Sequence, residues 1–290
     1  MLQWQKLRPR IIVVDNASAP ADLCQLSQYQ HPALKLICNT SNQGFAGGSN
    51  RGMEWALREN PTRPILLINN DAQIDEATLI TLLDSMHANP NIGMLGPLLY
   101  APGLPETLIS AGSKDPMWHI HTFDKSLTAQ SHAAPPPCKT VDYISGSVAL
   151  LRTEAVQQVG LLDEAYFFNT EIADWCARAR THGWQTGVHL GLKAYHNLHR
   201  SSALRNTLYT YYVIRNRVYY VTKHANGWRW PLTAFWTGYS MALAAKLRLG
   251  GHTPQAQAVW MGALDGLQQR LGGQNERILA ACQSKAGANL

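Results

Sequence analysis

The segment 161–184, LLDEAYFFNTEIADWCARARTHGW, gathers reactive groups at close spacing. Asp163 and Glu164 lead into the aromatic run Tyr166, Phe167 and Phe168. Glu171 then opens a helix that carries Asp174, Trp175, Cys176, Arg178 and Arg180. A carboxylate at the mouth of a helix, walled by aromatic rings, suits general-base work: the apolar wall raises its pKa and the helix aims it. An acidic residue in that place also complements a helix dipole without doing chemistry. Asp71 is the second candidate. It closes LLINND (66–71), a strand-end carboxylate after two amides. Such a hard oxygen site fits Mg²⁺ or Mn²⁺ bridging a diphosphate, although a turn or helix cap uses Asp as readily. His196 stands at the end of a further strand and can complete a metal shell. His199, Arg200, Ser201 and Ser202 follow, and the Arg with the hydroxyls can hold phosphate.

These groups need elements to position them. Ile11–Val14 is a fully apolar run stopped by Asp15, Asn16, Ala17 and Ser18, as a buried parallel strand reads. Strands are also predicted at 34–38, 65–68, 92–100 and 141–151. Helices are predicted at 53–59, 75–88 and 154–159, and from 204 nearly to the end with breaks at Asn226-Gly227 and Gly250-Gly251. The alternation implies an α/β, Rossmann-like, mostly parallel sheet with flanking helices and a C-terminal helical extension. In such sheets ligands bind beyond the carboxyl ends of the strands. Three strand ends carry polar residues: 15–18, 39–50 and 69–71. Asp15 can accept from a nucleobase or ribose, and Gly44, Gly47 and Gly48 let backbone approach a ligand ahead of a helix N-terminus. The 101–140 stretch, with Pro135-Pro136-Pro137, reads as a long excursion beside the site.

Composition narrows the classes. The 290 residues are 46% hydrophobic and 15% charged, so the chain buries a sizeable core. The net charge of +6 favours an anionic substrate or lipid surface, but no basic run is interleaved with aromatics in a nucleic-acid module. Five dispersed cysteines without CxxC argue against a zinc cluster or disulfide framework and for reduced, cytosolic thiols. The first residues lack the apolar core of a secretion signal. The uncharged stretch 230–245 is short for a span, and its Trp and Tyr residues suit either packing or a membrane interface. Neither a P-loop nor a dinucleotide GxGxxG follows the first strand.

Taken in order, several motifs resemble the family 2 glycosyltransferases of the GT-A fold, nearest their rhamnosyltransferase-like branch. They are VVDNAS (13–18), NQGFAGGSNRG (42–52), LLINND (66–71), GPLLY (96–100), ISGSVALLR (144–152), 160–184, AYHNLHRSS (194–202) and YYVIRNRVYYVTKH (211–224). The resemblance implies an inverting, metal-dependent transfer from a nucleotide-diphosphate sugar to a glycan or lipid-linked glycan acceptor. The setting would be cell-surface polysaccharide synthesis, in the cytoplasm at the inner membrane face, with the C-terminal helices as a candidate membrane contact. It implies Asp15, Asn16, Ser18, Asn42, Gly44, Gly48, Asn50, Asn70 and Asp71 on the donor, Asp71 and His196 on Mn²⁺ or Mg²⁺, and Ser145, Gly146 and Trp175 beside the acceptor. Glu171 would be the base, with Asp174 as the substitute, and Asp71 and Glu171 would converge on one cleft. Two departures stand out. The second carboxylate of the family's paired acidic motif is Ile172 here, and the strand–helix unit that ordinarily precedes VVDNAS is missing. A non-catalytic nucleotide-sugar or glycan-binding module is therefore the alternative. The division expected is 1–203 for the nucleotide-sugar domain and 204–290 for the helical extension.

Overall fold

A computed structural model describes residues 1–103, 106–122, 138–197 and 203–283, with side chains of the last segment from 206 to 282. Parts of the 101–140 excursion, including Pro135-Pro136-Pro137, and the 199–202 phosphate candidates lie outside the described residues. The chain divides into two compact units. One comprises Met1–Leu162 and Ile172–Leu198; the other comprises Asp163–Glu171 and His199–Leu290. The segment 163–171 thus groups with the helices rather than with the sheet domain that its sequence position suggests.

In the first unit, β1 (Ile11–Asp15) pairs in parallel with β2 (Leu34–Cys38), joined by the crossover helix α1 (Pro20–Ser27). The pairing runs from Ile11 opposite Leu34 to Asp15 opposite Cys38. A larger, seven-stranded sheet contains β3 (Ile65–Ile68), β4 (Ala72–Gln73), β5 (Ile92–Ala101), β6 (Thr107–Ser110), β7 (Cys138–Val141), β8 (Val148–Leu151) and β9 (Gln185–His196). Its order is β3-β8-β5-β9-β4, with β6 on β5 and β7 on β9. Here β5–β9 is parallel and every other pair is antiparallel. The sheet is therefore mixed rather than mostly parallel. An unbroken apolar run reports burial on both faces and not strand direction: β8, VALL, is buried throughout while antiparallel to both neighbours. Among the described residues β1 pairs with β2 alone and β3 with β8 alone, so the two sheets are separate hydrogen-bonded units.

Helix α2 (Gly44–Glu59) starts nine residues before the predicted start. Glycine in a helix costs about 1 kcal/mol each, which makes this stretch read as a loop. Close packing compensates: a Cβ on Gly48 would meet Asn16 at 3.2 Å, and one on Gly52 would meet Val14 of β1 at 3.3 Å. Gly48 and Gly52 thus leave room for the side chains of Asn16 and Val14. Helix α3 (Glu76–Ala88) is capped by Asp75, whose carboxylate accepts from Thr78 N at 2.7 Å. Helices α4 (Thr153–Val159) and α5 (Glu171–Thr181) complete this layer. The core beneath them includes Met94, Leu151, Val156, Trp175, Cys176 and Val188. The strand predicted at 141–151 is broken into β7 and β8, because Ser145 Oγ accepts from Ser147 N at 3.2 Å and turns the backbone between them.

The second unit is built from α6 (Ala203–His224), α7 (Arg229–Leu249), α8 (Thr253–Leu267) and α9 (Asn275–Gln283). Glycine again sets the spacing. Gly262 and Gly266 of α8 lie so near α6 that a Cβ would stand 2.7 Å from Tyr211 O and from Val218 Cβ, respectively.

Candidate active site

The end of β9 meets the turn after β3. Antiparallel pairing sets Ala72 opposite His196, and Asn197 N donates to Asp71 O at 3.0 Å. This backbone clamp brings together side chains 125 residues apart: His196 Nε2 lies 3.0 Å from Asp71 Oδ1. On its other side, His196 Nδ1 is 3.3 Å from Ser147 Oγ, which lies 3.1 Å from Ser145 Oγ. Asn69 binds the same serine, N to Ser147 O at 3.0 Å and Nδ2 to Ser147 Oγ at 3.4 Å. The predicted metal residues Asp71 and His196 and the predicted acceptor residue Ser145 thus form one polar chain linked through Ser147. Asn70 is exposed on the turn. A carboxylate and an imidazole side by side are two suitable ligands for Mn²⁺ or Mg²⁺, with diphosphate and water able to complete the shell. Among the described residues no group of three or more His, Cys, Asp and Glu forms a protein-only metal cage.

A second polar cluster caps β1. Asn16 is its hub. Its Oδ1 accepts from Asn39 Nδ2 at 3.0 Å and Gln43 N at 2.9 Å, and its Nδ2 donates to Gly44 O at 2.8 Å and Asn42 Oδ1 at 3.2 Å. Asn42 Oδ1 also accepts Gly44 N at 2.8 Å. Two amides at the start of α2 are therefore held by side chains rather than open for phosphate. Asp15 is buried, with Oδ2 accepting Ser18 N at 3.3 Å and Oδ1 lacking any hydrogen-bond partner. A buried carboxylate oxygen left unsatisfied is costly unless a ligand donates to it. Asn50 is different: its amide clasps Leu162, Nδ2 to O at 2.9 Å and Oδ1 from N at 3.0 Å, so it braces backbone instead of facing a ligand.

Around Glu171 the chain is strained. Phe167, Asn169 and Thr170 have φ of 63°, 72° and 77°, a left-handed region non-glycine residues rarely enter. Such strain persists only where surroundings enforce it, and it gathers at functional sites. The enforcing groups sit on α6. Asn216 Nδ2 lies 3.1, 2.8 and 2.6 Å from the carbonyls of Tyr166, Phe168 and Asn169. Arg215, fully buried, donates to the carbonyls of Tyr166 at 2.7 Å and Gly272 at 2.5 Å, and to Asn216 Oδ1 at 2.8 Å. Burial lowers its pKa from the usual guanidinium value. Asp163 binds Lys223 at 2.7 Å and Tyr219 at 3.1 Å. The aromatic run, expected to wall the carboxylate, interlocks with α6 tyrosines: Tyr166 on Tyr219 at 4.8 Å, Phe167 stacked on Tyr212 at 5.4 Å. The strap formed by Arg215 and Asn216 was not assigned from sequence, although two polar residues within an aromatic helix were a readable signal.

The rest of α5 belongs to the core. Asp174 is wholly buried in an ion pair with Arg178 at 2.8 Å, and Arg178 also binds the carbonyls of Val159 and Leu161. Trp175 is wholly buried and donates to Gly160 O at 2.8 Å. Neither presents a surface to an acceptor, which corrects the expectation for Trp175 and leaves Asp174 committed. Ile172 is buried where a Cβ on Gly146 would meet it at 2.9 Å, with Phe45 on the other side. A cleft of about 350 Å³, lined by Lys114, His119, Arg180, Trp184 and Thr186, opens at the start of β9, the opposite end from His196, and contains none of the predicted site residues.

The fold is shared with solved glycosyltransferases. The GalNAc-T7 structure with UDP, GalNAc and Mn²⁺ superposes with a TM-score of 0.54 at 12% identity over 73% of this chain and 41% of that one. The mannosyltransferase PcManGT of Pyrobaculum calidifontis, with GDP-Man and Mn²⁺, gives 0.51 at 16% identity over 89% and 79%. The fold is GT-A. Residues 2–160 match the model of glycosyl transferase family 2, and the chain belongs to that family. One relative is the low-salt glycan biosynthesis hexosyltransferase Agl10 of Haloferax volcanii, 27% identical over 64% of this chain. This chain spans 58% of that relative's length. Another is the N-acetylglucosaminyl-diphospho-decaprenol L-rhamnosyltransferase of Mycobacterium tuberculosis, 24% identical over 78% of each chain.

Proposed function

We propose that the protein is an inverting, divalent-metal-dependent hexosyltransferase. It moves sugar from a nucleotide diphosphate to a glycan or lipid-linked glycan in cell-surface polysaccharide synthesis, at the inner face of a membrane. The observation that carries this reading is the Asp71–His196 pair, 3.0 Å apart and clamped by backbone pairing on both sides. Asp71 and His196 would hold Mn²⁺ or Mg²⁺. When bound, the ion neutralises charge growing on the departing diphosphate. The unsatisfied Asp15 Oδ1 and the Asn16 hub, with Ser18 and Asn42 bonded to them, suit the base, and Asn70, next to Asp71 in the chain, suits the ribose. Ser145 and Gly146 suit the acceptor side. Glu171 takes the proton of the acceptor hydroxyl as that oxygen bonds to the anomeric carbon and the bond to the diphosphate breaks on the opposite face. The relatives' rhamnosyl and hexosyl transfer reactions and the Mn²⁺ in both structural neighbours support the assignment.

One observation favours a second reading, a nucleotide-sugar-binding module without turnover. Ile172 is apolar and buried, and Asp174 is held by Arg178, so α5 offers no second acidic group beside Glu171 to complete the family's paired motif. A donor screen separates the two. Nucleoside diphosphate release that requires Mn²⁺ or Mg²⁺, disappears in Asp71→Ala, and falls in Glu171→Gln while donor still shifts the melting temperature supports the enzyme. Donor-induced shifts with no release support the module. No shift with any nucleotide sugar refutes both.

A further inference from the structure

The second unit turns a helix inside out. On α7 the inward residues are Thr233, Trp236, Ser240 and Ala244, three of them small, two of them polar. The outward ones are Ala234, Phe235, Gly238, Met241, Ala242 and Ala245, an exposed stripe at helical spacing with no polar side chain. A helix facing water does the reverse. Phe235 is 53% exposed and Met241 46%. The stripe is closed by cations at both ends, with Trp228, Arg229 and Trp230 before it and Lys246, Arg248 and Leu249 after it. Trp230 is 77% exposed and Leu249 90%. Beside it, α8 exposes Trp260, Leu264 and Leu267, also one stripe. Among the described residues no helix is long and apolar enough to cross a membrane.

Charge selects what covers this face. No Asp or Glu occurs between Asp174 and Asp265, and the second unit carries a basic excess equal to the whole chain's +6, while the charges of the first unit cancel. A second copy packed antiparallel on α7 would set Arg229 against Lys246 and Arg248 with no carboxylate on the helix to answer them. An anionic lipid surface answers all of them. It also accepts the tryptophans at headgroup level and the stripe at the acyl boundary.

We infer that the outward face of α7 lies on an anionic bilayer, with Arg229, Lys246 and Arg248 on the headgroups and Phe235 and Met241 in the acyl boundary. The surface is independent of the transfer reaction, and binding requires no donor or metal. The test is flotation of the full chain with vesicles of neutral phosphatidylcholine, or of phosphatidylcholine with 30% phosphatidylglycerol. The expected result is flotation with the anionic vesicles only, weakened by salt. Lys246→Glu/Arg248→Glu should partition about tenfold less, and Phe235→Ser/Met241→Ser should also lose binding, both melting like the wild type. Failure to float with anionic vesicles overturns the inference, as does equal flotation of the variants. So does light scattering that shows a dimer which Phe235→Ser/Met241→Ser converts to monomer, since a second copy would then be the occupant.

Discussion

Replacing Asn216 by Ala tests whether the turn before Glu171 is held under load. The side chain supplies two N–H donors shared among three carbonyls, and its Oδ1 accepts from the buried Arg215 at 2.8 Å. Neutral buried hydrogen bonds contribute about 1 kcal/mol each and one to a guanidinium about 2, so the loss is about 4 kcal/mol. On the other side, three left-handed non-glycine residues store at least ~3 kcal/mol of strain. The two terms are similar, so without the amide the turn relaxes. Two consequences follow. The melting temperature of Asn216→Ala should fall by only about 3 °C, because the strain released offsets most of the hydrogen bonding lost. With the protein still folded at the assay temperature, kcat for glycosyl transfer should fall by ~10²-fold, the effect of misplacing a catalytic group by about 1 Å. Donor KM should change little, because Asp15, Asn16 and Asp71 lie in the other compact unit. Saturating kinetics and differential scanning calorimetry on one preparation give both numbers. Wild-type kcat with a lowered melting temperature would refute the positioning role and leave a structural one; a fall of about 10 °C, the full loss with no strain released, would refute the load argument.

Three further outcomes are expected. Ile172→Asp, which restores a paired acidic motif, should destabilise rather than activate, because the carboxylate is buried against Phe45 and Gly146. Its pKa would be raised in the folded state, so the deficit should widen as pH rises above the unfolded value of about 4; thermal melts at pH 5 and pH 8 showing equal deficits would contradict this. The Glu76 carboxylate accepts Leu7, Lys6 and Gln5 amides at 2.6, 2.7 and 3.1 Å, and the Leu7 bond above all lowers its pKa. This anchorage is present above the ordinary glutamate value of 4.5 and lost as pH falls through the lower folded value; amide exchange at residues 5–7 should quicken there, and at pH 7 in Glu76→Gln, and unchanged exchange in the variant would disprove it. Burial pushes the Cys176 thiol up to about 11, while Cys24 and Cys38 are exposed. Disulfide-exchange titration of the native protein at pH 8 should modify Cys24 and Cys38 first and reach Cys176 only on denaturation; rapid modification of Cys176 would refute its burial.

Local features were legible where local physics sets them. The strands at 11–15, 34–38 and 65–68 are β-branched or leucine runs ended by turn formers, and α3 carries its own cap. The family motifs, read in order, pointed to the GT-A fold and to glycosyl transferase family 2. Where the sequence misled, long-range contact was the cause. The glycine-rich stretch read as a loop because each glycine weakens a helix, yet those glycines let α2 lie on β1. The 141–151 run is an exception: the Ser145–Ser147 bond that breaks it is local, and serine alone does not announce it. Strand direction was invisible because burial has no sense of it.

The sequence by itself determined which residues have the chemistry: Asp71, His196 and Glu171 as candidate groups, Asn16 and Asp15 at a strand end, an uncharged helix rich in tryptophan. Only the tertiary structure decided which of them are left to use it. It brought His196 to Asp71 across 125 residues, left Asp15 Oδ1 without a donor, and tied Asn50, Asp174 and Trp175 to backbone or to Arg178. The physical reason is competition for hydrogen bonds. A polar side chain has the same donors and acceptors wherever it lies in the sequence, and folding determines whether backbone, a neighbouring side chain or a ligand satisfies them.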